Sequence, residues 1–170
     1  MKLIAKIIAA LTATAGLLAS PAAHAQKWVP TGIAELSSGV EGGGGARRTS
    51  MDTAPVRMRV GADMYVDEDP ENIFGGAVLF AVTPKTAFGV DGRYTRVVRQ
   101  KFAFSIGATA ILQPGTLVGP TAAAEYRMPI GKSFTFTAGP EINVFCLGSD
   151  LPDRTIIWQL LVKAGLRVQF

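Results

Sequence analysis

A two-residue rhythm constrains this chain more than any other feature. From Ile156 onward, Trp158, Leu160, Val162, Ala164, Leu166, Val168 and Phe170 share one parity. Thr155, Gln159, Lys163, Gly165, Arg167 and Gln169 hold the other, with Ile157 and Leu161 as apolar exceptions. Side chains alternate across a strand, so such a segment has one greasy and one polar face. Val56 to Val66 repeats the pattern, with Val56, Met58, Val60, Ala62, Met64 and Val66 against Arg57, Arg59, Gly61, Asp63 and Tyr65.

The rhythm recurs along the chain and predicts an all-β fold. Phe88 to Thr95, Phe102 to Ala110, Val118 to Met128 and Phe134 to Val144 alternate in the same way. A weaker strand at Thr31 to Val40 and an apolar one at Phe74 to Val82 bring the count to eight. Turn chemistry separates them: Asp67 to Asn72 with Pro70, Thr83-Pro84-Lys85, Arg99 to Lys101, Gln113-Pro114-Gly115, Pro129 to Lys132 and Gly148 to Pro152. The longest gap, Glu41 to Pro55, holds four consecutive glycines and Arg47-Arg48, and reads as a flexible loop.

The first 25 residues read differently. Lys2 and Lys6 precede an apolar stretch from Ile7 to Leu18, and Ala23-His24-Ala25 forms a small-x-small cleavage site, the pattern of a secretory signal peptide. Residues 26–170 then form a single mature domain. Cleavage removes the only histidine and two of the 17 Lys+Arg, leaving 15 against 13 Asp+Glu. That small excess gives no reason to invoke nucleic acid. Cys146 has no partner within the chain, so the fold holds without an internal disulfide. Past the signal, no apolar stretch approaches the roughly 20 residues of a spanning helix. A soluble exported domain and a β-barrel in an outer membrane both remain open. Eight strands of about 9 to 11 residues fit the length, although ten are not excluded by arithmetic.

Which face is greasy outward decides between them. Charged residues make up 18% of the chain, thin for a barrel with a wholly charged exterior when about 25% is usual. Aromatic positions form two groups. Tyr65, Phe74, Tyr94, Phe102, Phe104, Tyr126, Phe134, Phe136 and Phe170 gather toward one rim; Phe80, Phe88, Phe145 and Trp158 flank the other. Two girdles are expected where rings sit at both membrane interfaces. Pairing through a turn centred on residues 130 and 131 puts Pro140 opposite Thr121. That sets the Gly-Pro steps at Pro120 and Pro140 at one height, near the level where strands leave the hydrocarbon.

Phe170, preceded at every second position by Val168, Leu166, Ala164 and Val162, resembles the C-terminal signal read by the outer-membrane barrel assembly machinery of bacteria. With the signal peptide and eight alternating segments, the chain resembles the small OmpA/OmpX-type outer-membrane barrels. The resemblance implies an antiparallel up-and-down transmembrane barrel in contact with outer-membrane lipid. It places both termini in the periplasm and the Gly-rich 41–55 segment outside the cell. The connections at 83–86 and 113–115 are short for outer loops of this class.

Chemistry is sparse. The mature chain has no histidine, which removes Ser-His nucleophilic catalysis and His-based metal sites, so neither catalytic residues nor a cofactor are expected. Gly42 to Gly45 lacks the Lys-Ser/Thr of a phosphate loop. Asp67, Glu68, Asp69 and Glu71 lack the spacing of an EF-hand and read as a solvated turn. Cys146 reads as a small hydrophobe on the apolar face. The informative constellation is the polar faces. If these point inward, Arg57, Arg59, Arg93, Arg127, Lys163 and Arg167 meet Glu35, Asp63, Asp91, Glu125 and Glu141 in a lumen just wide enough for side chains. Paired, they close it, giving a non-enzymatic barrel with a structural or surface-interaction role through 41–55 and 147–154. A narrow ion or small-solute channel through the same residues is the alternative, and a soluble lipocalin-like carrier with an apolar pocket is a third.

Overall fold

The structure is a computed structural model that describes residues 27–45, 48–53, 56–82, 86–149, 151 and 155–170; the expected signal peptide at 1–25 lies outside the described residues. Ten strands form one sheet: β1 (Trp28–Gly45), β2 (Arg48–Thr53), β3 (Arg57–Val66), β4 (Asp69–Ala81), β5 (Ala87–Val98), β6 (Phe102–Gln113), β7 (Leu117–Ile130), β8 (Phe134–Phe145), β9 (Leu147–Gly148) and β10 (Ile156–Gln169). Each long strand pairs antiparallel with its chain neighbour, and β10 pairs with β1, so the sheet closes on itself.

Two of the ten strands extend barrel staves. β1 pairs with β3 from Trp28 to Ser37 and with β2 from Val40 to Gly45, so β2 continues the edge of β3. β9 continues β8 in pairing with β7. The result is an eight-stranded up-and-down barrel. Its staves run from 10 residues in β3 to 18 in β1, long enough for a tilted strand to cross a bilayer.

Strand parity places the faces as the alternation predicts. Among the described residues, twenty-eight large hydrophobic side chains are exposed, including Leu36, Phe104, Ile106, Val162 and Leu166, whereas Glu35, Arg59, Asp91, Arg93, Glu125 and Lys163 are buried. A water-soluble barrel has the reverse arrangement. An apolar exterior around a charged interior is the architecture of a transmembrane β-barrel. Cross-strand ring pairs reinforce the exterior: Phe74 on Tyr94 at 5.3 Å, Phe102 on Tyr126 at 5.6 Å and Phe80 on Phe88 at 5.4 Å.

The interior is crowded, and glycine is the response. Each of the eight staves carries an inward glycine, from Gly39 in β1 to Gly165 in β10. A methyl group built at Gly119 would lie 1.8 Å from the Val144 carbonyl oxygen, and one at Gly107 would lie 2.1 Å from that of Gly92. Coiling a sheet into so small a barrel brings neighbouring backbones together on the concave side, where a Cβ has no room.

Four expectations need correcting. The 41–55 segment is not a flexible loop through its described part: Gly42 to Gly45 extend β1 and pair with Met51 to Arg48 of β2. The glycines allow this because a side chain at Gly42 would collide with the Trp158 ring, whose Cζ2 lies 2.3 Å from a built Cβ. The turn expected at Asp67 to Asn72 occupies only Asp67 and Glu68, and Pro70 belongs to β4.

The other two corrections concern register and girdle. β7 runs through Ile130, which pairs with Phe134, leaving Gly131 (φ 71°), Lys132 and Ser133 as the turn. Asn143, not Pro140, therefore stands opposite Thr121. The prolines do not share a height, and Pro140 lies mid-stave, paired with Val162 of β10. Opposite β7 the ladder has no pairs at Gly139 and Pro140, as expected where a proline offers no N–H. Tyr65 and Phe145 leave the girdles, because both have inward parity. Tyr65 packs on Ile73, Val97 and Ala103, and Phe145 is fully buried.

Candidate functional site: the charged lumen

Nine of the eleven lumen residues read from the sequence form one ion-pair network. Asp91 on β5 accepts from Arg59 Nε at 2.8 Å and Arg93 Nε at 2.7 Å, and from the Thr109 hydroxyl at 3.0 Å. Arg59 reaches across to Glu35 at 3.1 Å, and Arg93 to Glu141 at 2.7 Å. Lys163 closes this ring, lying 3.7 Å from Glu35 and 4.0 Å from Glu141, with its shortest contact to Glu125 at 2.5 Å. A second ring shares Lys163: Glu125 holds Arg167 at 3.1 Å, Arg167 lies 3.7 Å from Glu35, and its Nη1 donates to Asp63.

Geometry explains why these charges tolerate burial. Isolated, any one of them in a low-dielectric interior would cost several kcal/mol. Here each cation touches two or more carboxylates, and the rings tie six staves together across the barrel axis. Lys163 is 2% exposed and Glu125 3%. Fully buried Phe145, Leu161, Gln159 and Asn143 fill the remaining interior.

The other two residues stand apart. Arg57, near the far end of the barrel from the termini, forms no ion pair with a described residue; its guanidinium lies 5.8 Å from the Phe145 ring centroid. Arg127, near the terminus-bearing end, likewise forms none and lines a vestibule of about 410 Å³. The acidic turn does not converge. Asp67 faces Lys27, Asp69 accepts from Asn72, and Glu71 lies 3.7 Å from Arg96. Cys146 is exposed. Of the last strand's apolar positions, Val162 and Leu166 face outward and Phe170 is exposed at its end.

No protein-family model matches the chain, and no curated protein matches it in sequence. Among solved structures it is similar to Neisserial surface protein A, at 12% identity and a TM-score of 0.48, over 84% of this chain and 97% of that one. It is also similar to a structure from the de novo design of transmembrane β-barrels, at 11% identity and a TM-score of 0.46, over 82% and 95%.

Sequence reasoning missed Gln159 and Glu41. The Gln159 amide donates to Glu41, extending the polar row to the β1–β2 hairpin. Their inward parity was the available signal. The glycine in every stave carried no such signal, because small residues on a polar face look unremarkable until backbone distances are known.

Proposed function

We propose that this chain is an exported, non-enzymatic outer-membrane barrel whose lumen is closed by the ion-pair network. In this reading its role is structural or in surface interaction. The observation that carries the closure is the double ring through Lys163, whose contacts join β10 to β1, β7 and β8 with side chains 1 to 7% exposed. A conducting path would need to part several of these contacts at once.

The apolar exterior supports residence in a bilayer, with lipid as the partner of the outward faces. The surface-interaction element is the β1–β2 hairpin together with residues 147–154. The last strand, with Val162, Ala164, Leu166, Val168 and Phe170, serves as the recognition segment for barrel assembly.

Cell-envelope fractionation of the tagged full chain tests this. The expected result is recovery in the outer-membrane fraction, extraction only with detergent and heat-modifiable gel migration. Recovery in the soluble fraction without detergent contradicts it.

A further inference from the structure

The terminus-bearing mouth of the barrel holds a vestibule of about 410 Å³. It is roofed by the charge network and walled on one side by Tyr65, Ile73 and Val97. This volume suits a compact organic molecule rather than a few waters.

Its charged groups are three cations, Arg127, Lys132 and Arg167, and one carboxylate, Glu71. Arg127 forms no ion pair with a described residue, and neither does Lys132 in the turn after β7. At the inner end Arg167 is 3% exposed. Asp63, Glu125 and Glu35 engage its Nη1 and Nη2, but its buried Nε–H has no acceptor. A guanidinium carries five N–H donors and no acceptor, and a buried donor left without a partner destabilises the fold. The Ser133 and Thr135 hydroxyls, able to donate or accept, stand at the same rim. The one carboxylate on the wall, Glu71, lies 3.7 Å from Arg96 outside. Two unpaired cations and an unfilled buried N–H around a half-apolar hollow call for an acceptor-rich, negatively charged occupant.

The geometry points to a binding site for a small soluble oxyanion, a carboxylate or phosphate monoester with a short apolar body. The anionic head sits on Arg127 and Lys132, within reach of the Arg167 Nε–H, and the body lies against Tyr65, Ile73 and Val97. A planar guanidinium matches two oxygens of such a head at once. Because the vestibule lies inside the barrel mouth, behind the staves, the site takes a water-soluble ligand rather than a bilayer lipid.

The test is calorimetric titration of the refolded mature protein, in uncharged detergent, with phenyl phosphate, inorganic phosphate and phenol. Saturable one-to-one binding of phenyl phosphate is expected, at least tenfold tighter than inorganic phosphate, with no saturable binding of phenol. Arg127→Gln and, separately, Lys132→Gln should each weaken phenyl phosphate at least fivefold. Lys27→Gln, at an exposed lysine that faces Asp67 and does not line the vestibule, should leave it unchanged. Lys132 lies in an exposed turn, so its variant reports on the site even if Arg127→Gln fails to refold. Absence of saturable binding, equal binding of phenol, or equal loss in Lys27→Gln overturns the proposal. Lumen closure is read separately by conductance, so either reading can fail without the other.

Discussion

Lys163 Nζ lies 2.5 Å from Glu125 Oε1, with both side chains 2% exposed or less. The two residues are 38 positions apart in sequence and come from β10 and β7, which both pair with β8, so the contact reaches past the stave between them. It belongs to the second ring, in which Glu125 also holds Arg167 at 3.1 Å.

Removing Glu125 should be costly. Glu125→Gln takes the shortest carboxylate contact from both Lys163 and Arg167's Nη2 and leaves them sharing only Glu35 at 3.7 Å, and breaking one partner of a buried pair typically costs about 3–5 kcal/mol. Denaturant unfolding in micelles should show a clearly lowered midpoint. Asp67→Asn, at the exposed turn, should move it by about 0.5 kcal/mol or less. Equal midpoints would remove the network from the account of stability.

Arginines at similar burial should differ by their partners. Arg59→Met takes one cation from each of two buried carboxylates, Glu35 and Asp91, whereas Arg57→Met takes an ion-pair partner from none and loses a ring contact worth about 1 kcal/mol. Arg59→Met should be the more destabilising by about 2 kcal/mol or more. Comparable unfolding curves would contradict the assigned pairing.

Glycine position should matter more than glycine identity. Gly119→Ala drives a methyl into the Val144 carbonyl, so folded, heat-modifiable protein should fall sharply. Outward Gly92 has nothing within 4 Å of a built Cβ, and Gly92→Ala should fold with near wild-type stability. Matching behaviour of the two variants would refute the crowded concave face.

Phe170 offers a test of assembly apart from stability. Deleting it should reduce outer-membrane insertion in cells while leaving refolding in micelles near wild type. Normal cellular yield would exclude the last strand as a recognition segment.

The sequence made the architecture legible because parity in a strand is a local property. Met58 against Arg59 or Leu160 against Gln159 declares two faces whatever the partner strand, and the inward charges followed from that alone. Partner choice was not legible. Arg167 meets Asp63 across 104 residues, and nothing local marks Arg167, rather than Arg57, as the one that finds carboxylates. Register failed where it depended on one turn: moving the turn to residues 131–133 displaced Pro140 from Thr121. The Gly42 to Gly45 run misled because its reason lies on another strand, in the Trp158 ring. Tyr65 and Phe145 were placed by proximity to turns when parity already put them inside.

Planar-bilayer recording on the refolded protein, with insertion verified by heat-modifiable migration of the reconstituted sample, addresses lumen closure most directly. The ion-pair rings predict a silent baseline across the usual voltage range at neutral pH. A steady open conductance in the unmodified protein would contradict closure and favour the channel.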